Sequence, residues 1–526
     1  MPRRASSLFV FLLLLIPSAQ FAWRNRDMPG FTHLHDDGLF FISAQSLATG
    51  GGYRIPSLPE NPAQTKFPPL YPLYLSVVWR MNPAFPANLV LGSVGCWMAL
   101  AACLALTWRL YRSDGASEKR TWVLVALLGL SPYMILFGSM MFSEIFFTCF
   151  VLATFLLARR EGMRAIVAAG VMAGLAYLAR TAGIALLISV PAWLLLRREG
   201  RRAGIFALTM LPFVAGWMLW SHAYRVPGAD PTLTYYTDYL GYQFANVGFD
   251  NLAVVLWKNA DQILYGMGSL VLPKVFDALP MKILTQVIAV AMLAGVVRMV
   301  RRGVAVDYTM FAAVSAGILL VWHYPATERF VLPLFPLLIA GLLTEMEHLA
   351  KMLRSGLRHR DFGQRAVAAV FGAGVAAVLI GALALQGYMS FVYLKASADQ
   401  QRAGLADRRA AYQWMSANLP ASAAVLSYDD SLLYLYSGHR GNYKPLMPRW
   451  WYAEDHASMV NAYRNLAAYC ASRGLTYVYF TSEDLSRETG DEDRLAVERI
   501  IRADPALVPI FTAGIGTVYR VRPSSQ

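Results

Sequence analysis

The chain has 526 residues, 56% hydrophobic and only 15% charged, more apolar side chain than one water-soluble core can bury, so a membrane-embedded protein is expected. The net charge of +14 does not point to a nucleic-acid partner, because the basic residues fall between apolar runs where membrane topology accounts for them. Of the four cysteines, Cys96, Cys103 and Cys149 sit inside apolar runs and Cys470 in a polar stretch, with no metal-type Cys/His spacing, which leaves the chemistry to acids and bases.

In chain order, apolar segments run at about 6–23, 87–108, 121–138, 141–158, 165–179, 181–196, 203–221, 283–297, 307–324, 330–345 and 366–389. Each approaches the ~20 residues a helix needs to cross ~30 Å of hydrocarbon, which predicts about eleven transmembrane helices. Lys and Arg crowd alternate connections, at Arg3 and Arg4, 109–120, 159–164, 197–202, 298–302 and 351–365. Short cytoplasmic loops are enriched in these residues, so that side, with the N-terminus, is read as cytoplasmic and the C-terminus as external, in a bacterial inner membrane. Residues 1–23 also have the pattern of a secretory signal, with Ser18, Ala19 and Ala22 closing the apolar run; cleaved or retained, the segment leaves the next loop outside.

Past about residue 395 hydrophobicity falls and acids nearly balance bases. The pattern there reads helix (Gly404 to Asn418), strand (Ala423 to Tyr428), helix (Ala457 to Ser472), strand (Leu475 to Thr481), helix (Asp491 to Ile501) and strands near 507–512 and 516–521, a small α/β layer fold. The expected architecture is an α-helical polytopic membrane domain over residues 1–394, with its first external loop at 24–86, and a soluble periplasmic or extracellular α/β domain over 395–526.

The first loop holds the densest chemistry. His33-Leu34-His35-Asp36-Asp37-Gly38 leads into an apolar, helical stretch from Leu39 to Thr49. Asp36 reads either as a helix cap or as half of a functional acid pair, since adjacent carboxylates are unusual at a membrane surface. Neither His33 nor His35 is assigned a role, and a metal site from His35 with Asp37 lacks support from further ligands. Further on, Gln64-Thr65-Lys66-Phe67-Pro68-Pro69-Leu70-Tyr71-Pro72-Leu73-Tyr74 predicts an extended turn at the bilayer surface, with Lys66 either facing a phosphate or snorkelling to the interface.

The order Asp36-Asp37-Gly38, Phe40 or Phe41, Ala44, Leu47, Gly50 and Tyr53, then Lys66-Phe67-Pro68-Pro69-Leu70-Tyr71-Pro72, resembles the first external loop of the GT-C glycosyltransferases. More narrowly it resembles the family 39-like bacterial branch related to protein O-mannosyltransferases and lipid A aminoarabinose transferases. The resemblance extends over about residues 1–395, where Ser143-Glu144-Ile145, Ala179-Arg180-Thr181, His323-Tyr324-Pro325 and Glu328-Arg329-Phe330 fit the same pattern, each on the external side by the charge rule. Many relatives carry Asp-Glu where this chain has Asp36-Asp37, so which acid serves as base stays open. The resemblance implies an inverting glycosyl transfer.

A sugar carried on polyprenyl phosphate presents its leaving group at the membrane surface. Transfer then needs a carboxylate to take the proton of the attacking hydroxyl and cations to hold the departing phosphate. Asp36 or Asp37 is the expected base, and Lys66, Arg180 and Arg329 the expected phosphate ligands, Arg being suited to a bidentate grip. Glu144 either pairs with Arg180 or binds an acceptor hydroxyl, orients Lys66 or helps hold a divalent cation, the one cofactor left open. Tyr71, His323 and Glu328 are further candidates for substrate contact.

Tyr235, Tyr236, Tyr239, Tyr242 and Phe244 are read as headgroup-level anchors ahead of a sugar groove. Ser427-Tyr428-Asp429-Asp430 and Thr481-Ser482-Glu483-Asp484 end strands, places where α/β layers meet ligand or solvent; that domain is expected to act as an acceptor or cover module. The partners implied are a polyprenyl-phosphate sugar, a lipid, glycan or protein acceptor, and membrane lipids. Two competing readings are a transporter or flippase of a lipid-linked sugar, which should carry charges near mid-membrane, and a noncatalytic envelope binding protein.

Overall fold

The computed structural model describes residues 2–27, 35–226, 231–275, 278–358, 361–486 and 488–522. Among these, six helices are long and apolar enough to cross a membrane: Ser7–Arg24, Leu89–Ser113, Gly200–Tyr224, Leu279–Arg301, Glu328–Leu357 and Phe362–Asn418. Four shorter apolar helices accompany them, Glu144–Ala158, Met163–Ala179, Thr181–Leu196 and Val306–Leu320. The segment expected at 121–138 is split into Glu118–Gly129 and Pro132–Phe137. Pro132 has no N–H to continue the ladder, and Ser131 before it is extended (φ −66°, ψ 134°), as a residue preceding proline must be.

Burial orders the bundle. Glu328–Leu357 is central, with 78% of its apolar window buried, whereas Phe362–Asn418 is peripheral at 6% and turns Val367, Val370 and Phe371 outward, as a lipid-facing helix does. Two backbones touch where Gly295 meets Gly341: a Cβ on Gly295 would stand 1.8 Å from the Gly341 carbonyl oxygen, an approach that only small residues allow between helices. At the arginine-rich end, Arg159 bonds both Asp114 (2.5 Å) and Asp307 (2.7 Å), and Arg298 bonds Glu345 (2.6 Å). Glu144 begins the helix whose far end precedes Arg159, so it lies at the opposite end of the bundle.

That opposite end is built up by shorter helices. Asp36–Ala48 matches the stretch expected after the acid pair. The double proline does not remain an extended turn; Pro69 caps a helix, Leu70–Met81, and Pro72 is tolerated in its first turn because the N–H there has no intrahelical partner. Pro231–Thr237, Tyr239–Asn246 and Leu252–Ser269 add three more. Asn259, buried within the last of these, donates to the carbonyls of Leu319, Leu320 and Trp322, satisfying the orphan groups at the end of the Val306–Leu320 helix.

The C-terminal unit carries a five-stranded sheet of β1 (Ala424–Ser427), β2 (Arg440–Asn442), β3 (Tyr477–Thr481), β4 (Leu507–Ala513) and β5 (Gly516–Val521) in the order β2-β1-β3-β5-β4. β1 runs parallel to β2 and β3, while β5 is antiparallel to β3 and β4. Of the expected elements, β1, β3, β4, β5 and the helix Asp491–Ala503 are present. The single helix expected over 457–472 is two, His456–Asn461 and Leu466–Ser472. β2 and the helix Asp430–Ser437 were not foreseen. Arg440-Gly441-Asn442 is too short and polar to show a period, and Gly441 is required there because a Cβ would stand 1.8 Å from the Val425 carbonyl oxygen. Residue 395 falls inside one unbroken helix that runs from Phe362 to Asn418, so the last apolar span and the C-terminal unit share a rod.

The unit is tied to the bundle by Gly441 N–H donating to the Ser57 carbonyl (2.8 Å), Tyr452 hydroxyl donating to Asn259 (2.7 Å) and an Arg473–Glu60 ion pair (2.7 Å). Replacing Gly295 by Ala is expected to push the two touching helices apart and cost about 1–3 kcal/mol, the usual range for overpacking, measured as a lowered midpoint of thermal unfolding in detergent.

Candidate active site

Asp36 and Asp37 open the Asp36–Ala48 helix, and neither acts as its cap: the cap residue is His35, whose side chain makes no capping bond. The Asp36 carboxylate turns to Arg329 Nη2 at 2.8 Å. Arg329 uses its Nε on Glu144 Oε1, and the same oxygen receives Arg180 Nη1 at 2.6 Å. Arg180 also donates to Ser143 Oγ at 3.0 Å. One chain of charge therefore runs Asp36, Arg329, Glu144, Arg180, across four segments far apart in sequence. Glu144 is 1% exposed, and its other oxygen, Oε2, has no hydrogen-bond partner.

Lys66 is buried on the near side of Asp36. Among the described residues it has no ion pair within contact distance; its ammonium lies over the Tyr235 ring at 3.4 Å from the centroid, with Phe67 and Tyr239 farther off, a cation–π contact strengthened by exclusion of water. Burial lowers the Lys66 pKa to about 8, against the opposing pull of Asp36 and Asp430. The two acids separate. Burial alone would raise Asp36, but Arg329 and then Lys66 outweigh it and hold the carboxyl below its ordinary range. Asp37, 1% exposed, is pushed well above that range by burial, despite the bond from Gly38 N–H, with Asp36 and Asp429 adding repulsion. Asp36 is therefore the more readily ionised of the two acids, and Asp37 the more readily protonated.

Glu144, Arg180 and Arg329 also head a cleft enclosing about 470 Å³ of empty space, part of it open. Below the charges its walls are apolar, formed by Phe147, Phe311, Ile318, Leu319, Phe330 and Leu334, and it descends along the Val306–Leu320 helix past Ser315, whose hydroxyl has no partner among the described residues, to Phe311.

The remaining candidates lie elsewhere. Glu328 turns away from the cluster, pairing with Lys274 (2.8 Å) and accepting from Ser269 Oγ (2.8 Å). Tyr71 is packed in the interior among Phe40, Tyr74 and Phe146, with its hydroxyl 3.6 Å from Cys96 Sγ. His323 is buried, bonded to Gln243 and ringed by Tyr239, Tyr242, Trp322 and Tyr324; burial, then Lys66, keeps its imidazole neutral by lowering its pKa well below the ordinary value. His33 lies outside the described residues. Among the described residues no group of three or more His, Cys, Asp or Glu could hold a metal ion.

Known proteins resemble the chain in sequence profile and in fold. The sequence profile described as Glycosyltransferase family 87 matches residues 67–324. Among solved structures, ArnT from Cupriavidus metallidurans in the apo state is similar at TM-score 0.53 and 12% identity, covering 98% of each chain. The same protein bound to undecaprenyl phosphate is similar at TM-score 0.52 and 13% identity, covering 97% of each chain. The chain is a multi-pass membrane protein with the fold of these structures, and its residues 67–324 match a glycosyltransferase profile. No curated protein matches its sequence. The matching profile is family 87, so the narrower family 39-like resemblance of the first loop stands at the level of the superfamily.

Rings read from the sequence as headgroup anchors also surround the site. Tyr235 and Tyr236 are buried against His35, Tyr235 also under Lys66, and Tyr242 is buried beside Tyr235 and His323; of the five rings only Phe244 is strongly exposed. Their signal was present in the density of tyrosines after residue 234, but rings at a bilayer surface have two uses. Asp430, read from the sequence only as a strand-end acid facing ligand or solvent, reaches His35 from the C-terminal unit. Asp37→Asn is expected to change stability by less than about 1 kcal/mol because burial already disfavours the charged acid, whereas Arg329→Leu takes the arginine from Asp36 and leaves Glu144 with Arg180 alone, and is expected to cost about 3 kcal/mol, both checked by thermal unfolding.

Proposed function

We propose that the chain transfers a sugar from a polyprenyl-phosphate carrier to an acceptor hydroxyl at the external face of a bacterial inner membrane, with inversion at the anomeric carbon. The observation that carries this reading is the amphiphilic cleft: two arginines at its head, apolar walls beneath. An anionic phosphate on a hydrocarbon tail fits that order of surfaces, and the similar ArnT structure has undecaprenyl phosphate bound.

In this reading Arg180, Arg329 and Lys66 hold the phosphate. The acceptor oxygen attacks the anomeric carbon from the side opposite the phosphate, Asp36 takes the hydroxyl proton, and the carbon–phosphate-oxygen bond breaks with its electron pair going to the phosphate. Glu144 orients both arginines through one oxygen, leaving the other to accept from a substrate hydroxyl. Asp36 is preferred over Asp37 as base because it is the charged member and, at 20% side-chain exposure, the accessible one. The N-terminus lies in the cytoplasm and the C-terminal unit outside, as the loop charges require. A transporter is less well supported, since Asp36, Glu144, Arg180 and Arg329 gather at one end of the bundle rather than along a central path.

Incubating the purified protein with a panel of polyprenyl-phosphate sugars and following release of polyprenyl phosphate tests the assignment. Asp36→Asn is expected to lower kcat by about 10²–10⁴-fold, the span typical of a lost general base, and Asp37→Asn far less; equal turnover by wild type and Asp36→Asn would defeat the proposal. Lys66 carries its charge below about pH 8 and loses it above, so the donor KM is expected to rise as pH climbs through that value. Lys66→Arg should move the rise beyond the measurable range, because guanidinium stays protonated.

A further inference from the structure

His35 has φ +63° and ψ −31°, left-handed backbone that a residue bearing a side chain keeps only when its surroundings impose it. It directly precedes Asp36, so its dihedrals aim the start of the helix and with it the Asp36 carboxylate. The restraints come from three segments. His35 Nε2 bonds the Asp430 carboxylate, Nδ1 lies 3.2 Å from the Tyr235 hydroxyl, and the ring packs on Tyr443 and Tyr236 with centroids 5.3 and 5.8 Å away. With the Asp430 oxygen as acceptor, Nε2 is the donor of this bond.

Asp430 and Tyr443 belong to the C-terminal unit. Asp430 has no exposed surface and stands at the carboxyl end of β1, where it also accepts from Ser57 Oγ at 3.3 Å. Its neighbour Ser431 closes on Gly38 so tightly that a Cβ there would stand 2.1 Å from the serine hydroxyl. The acid motif is thus gripped from above by residues contributed almost four hundred positions later in the chain.

We propose that Asp430 is a positioning residue for the transfer reaction: through His35 it holds the strained turn that sets where Asp36 stands, so that docking of the C-terminal unit completes the catalytic centre. The proposal rests on the reading of Asp36 as base and gives the C-terminal unit a task in the reaction itself rather than in covering it.

The test uses the purified full-length protein with a polyprenyl-phosphate sugar it accepts. Asp430→Ala is expected to lower kcat about 10- to 100-fold, as an ångström-scale misplacement of a reacting group does, with the donor KM changed by less than about threefold because the phosphate contacts lie on Arg180, Arg329 and Lys66. Asp430→Asn still offers Nε2 an acceptor and should keep kcat within about threefold of wild type. His35→Ala and His35→Gly delete the same ring, but glycine occupies positive φ without strain, so His35→Gly should turn over at least about fivefold faster than His35→Ala. That comparison decides the matter even if Asp430→Ala does not fold. Equal kcat for the two His35 variants, wild-type kcat in Asp430→Ala, or equal losses in Asp430→Ala and Asp430→Asn would each overturn the proposal. Asp36→Asn run alongside separates the cases: its inactivity keeps the base reading standing while the positioning claim alone falls, and its activity removes the base that Asp430 was said to position.

Discussion

The guanidinium of Arg329 is the joint on which the candidate site depends. A cation buried in an apolar bundle costs several kcal/mol unless it is paired and hydrogen-bonded, and Arg329 meets that demand with two carboxylates from opposite directions, Asp36 from the first loop and Glu144 from the start of a bundle helix. It opens the Glu328–Leu357 helix, the most enclosed of the long apolar helices, so the pairing pins a loop residue to the least movable part of the molecule. The same contact holds the Asp36 carboxyl below its ordinary range, while burial pushes Asp37, one residue away, above it. Two identical acids acquire different chemistry because only one of them is bonded to a cation.

Around this joint the protein separates two kinds of surface. Toward the bundle, charge gives way within one cleft to aromatic and aliphatic walls, the sequence of environments that a lipid phosphate requires. Toward the C-terminal unit, the surroundings are tyrosines, His35 and Asp430, with Lys66 lying on the Tyr235 ring instead of on a carboxylate. An unpaired, buried ammonium is an expensive feature for a fold to keep, and its place beside Asp36 is in keeping with a site that awaits an anion.

The membrane architecture was legible because hydrophobic length and loop charge are local properties. The runs near 87–108, 203–221 and 283–297 required only a count of residues against bilayer thickness, and each corresponds to a long helix. Breaks were also legible where proline caused them, but Ser131-Pro132 was passed over inside an otherwise apolar stretch. Lys66, Glu144, Arg180 and Arg329 stood out as charges that lipid would not tolerate without a purpose. Glu328 drew attention by the same rule and turns instead to Lys274; adjacent residues of one helix point in different directions, so nearness to Arg329 in the chain does not place Glu328 in the cluster. His35 was passed over because a lone histidine in a loop has many uses, and only its backbone angle and its partner Asp430 distinguish it.

By itself the sequence determined that the chain is a multi-pass membrane protein, and that candidate acids and bases collect at the end opposite the arginine-rich loops. These follow from composition, length and sign of charge, none of which needs a contact to be known. Only the tertiary structure decided which acid is charged, which candidates share a cleft, and that the C-terminal unit reaches into the site. Proton affinity and reach depend on distances between groups tens to hundreds of residues apart, and a membrane bundle brings those groups together through helix packing that no single segment encodes.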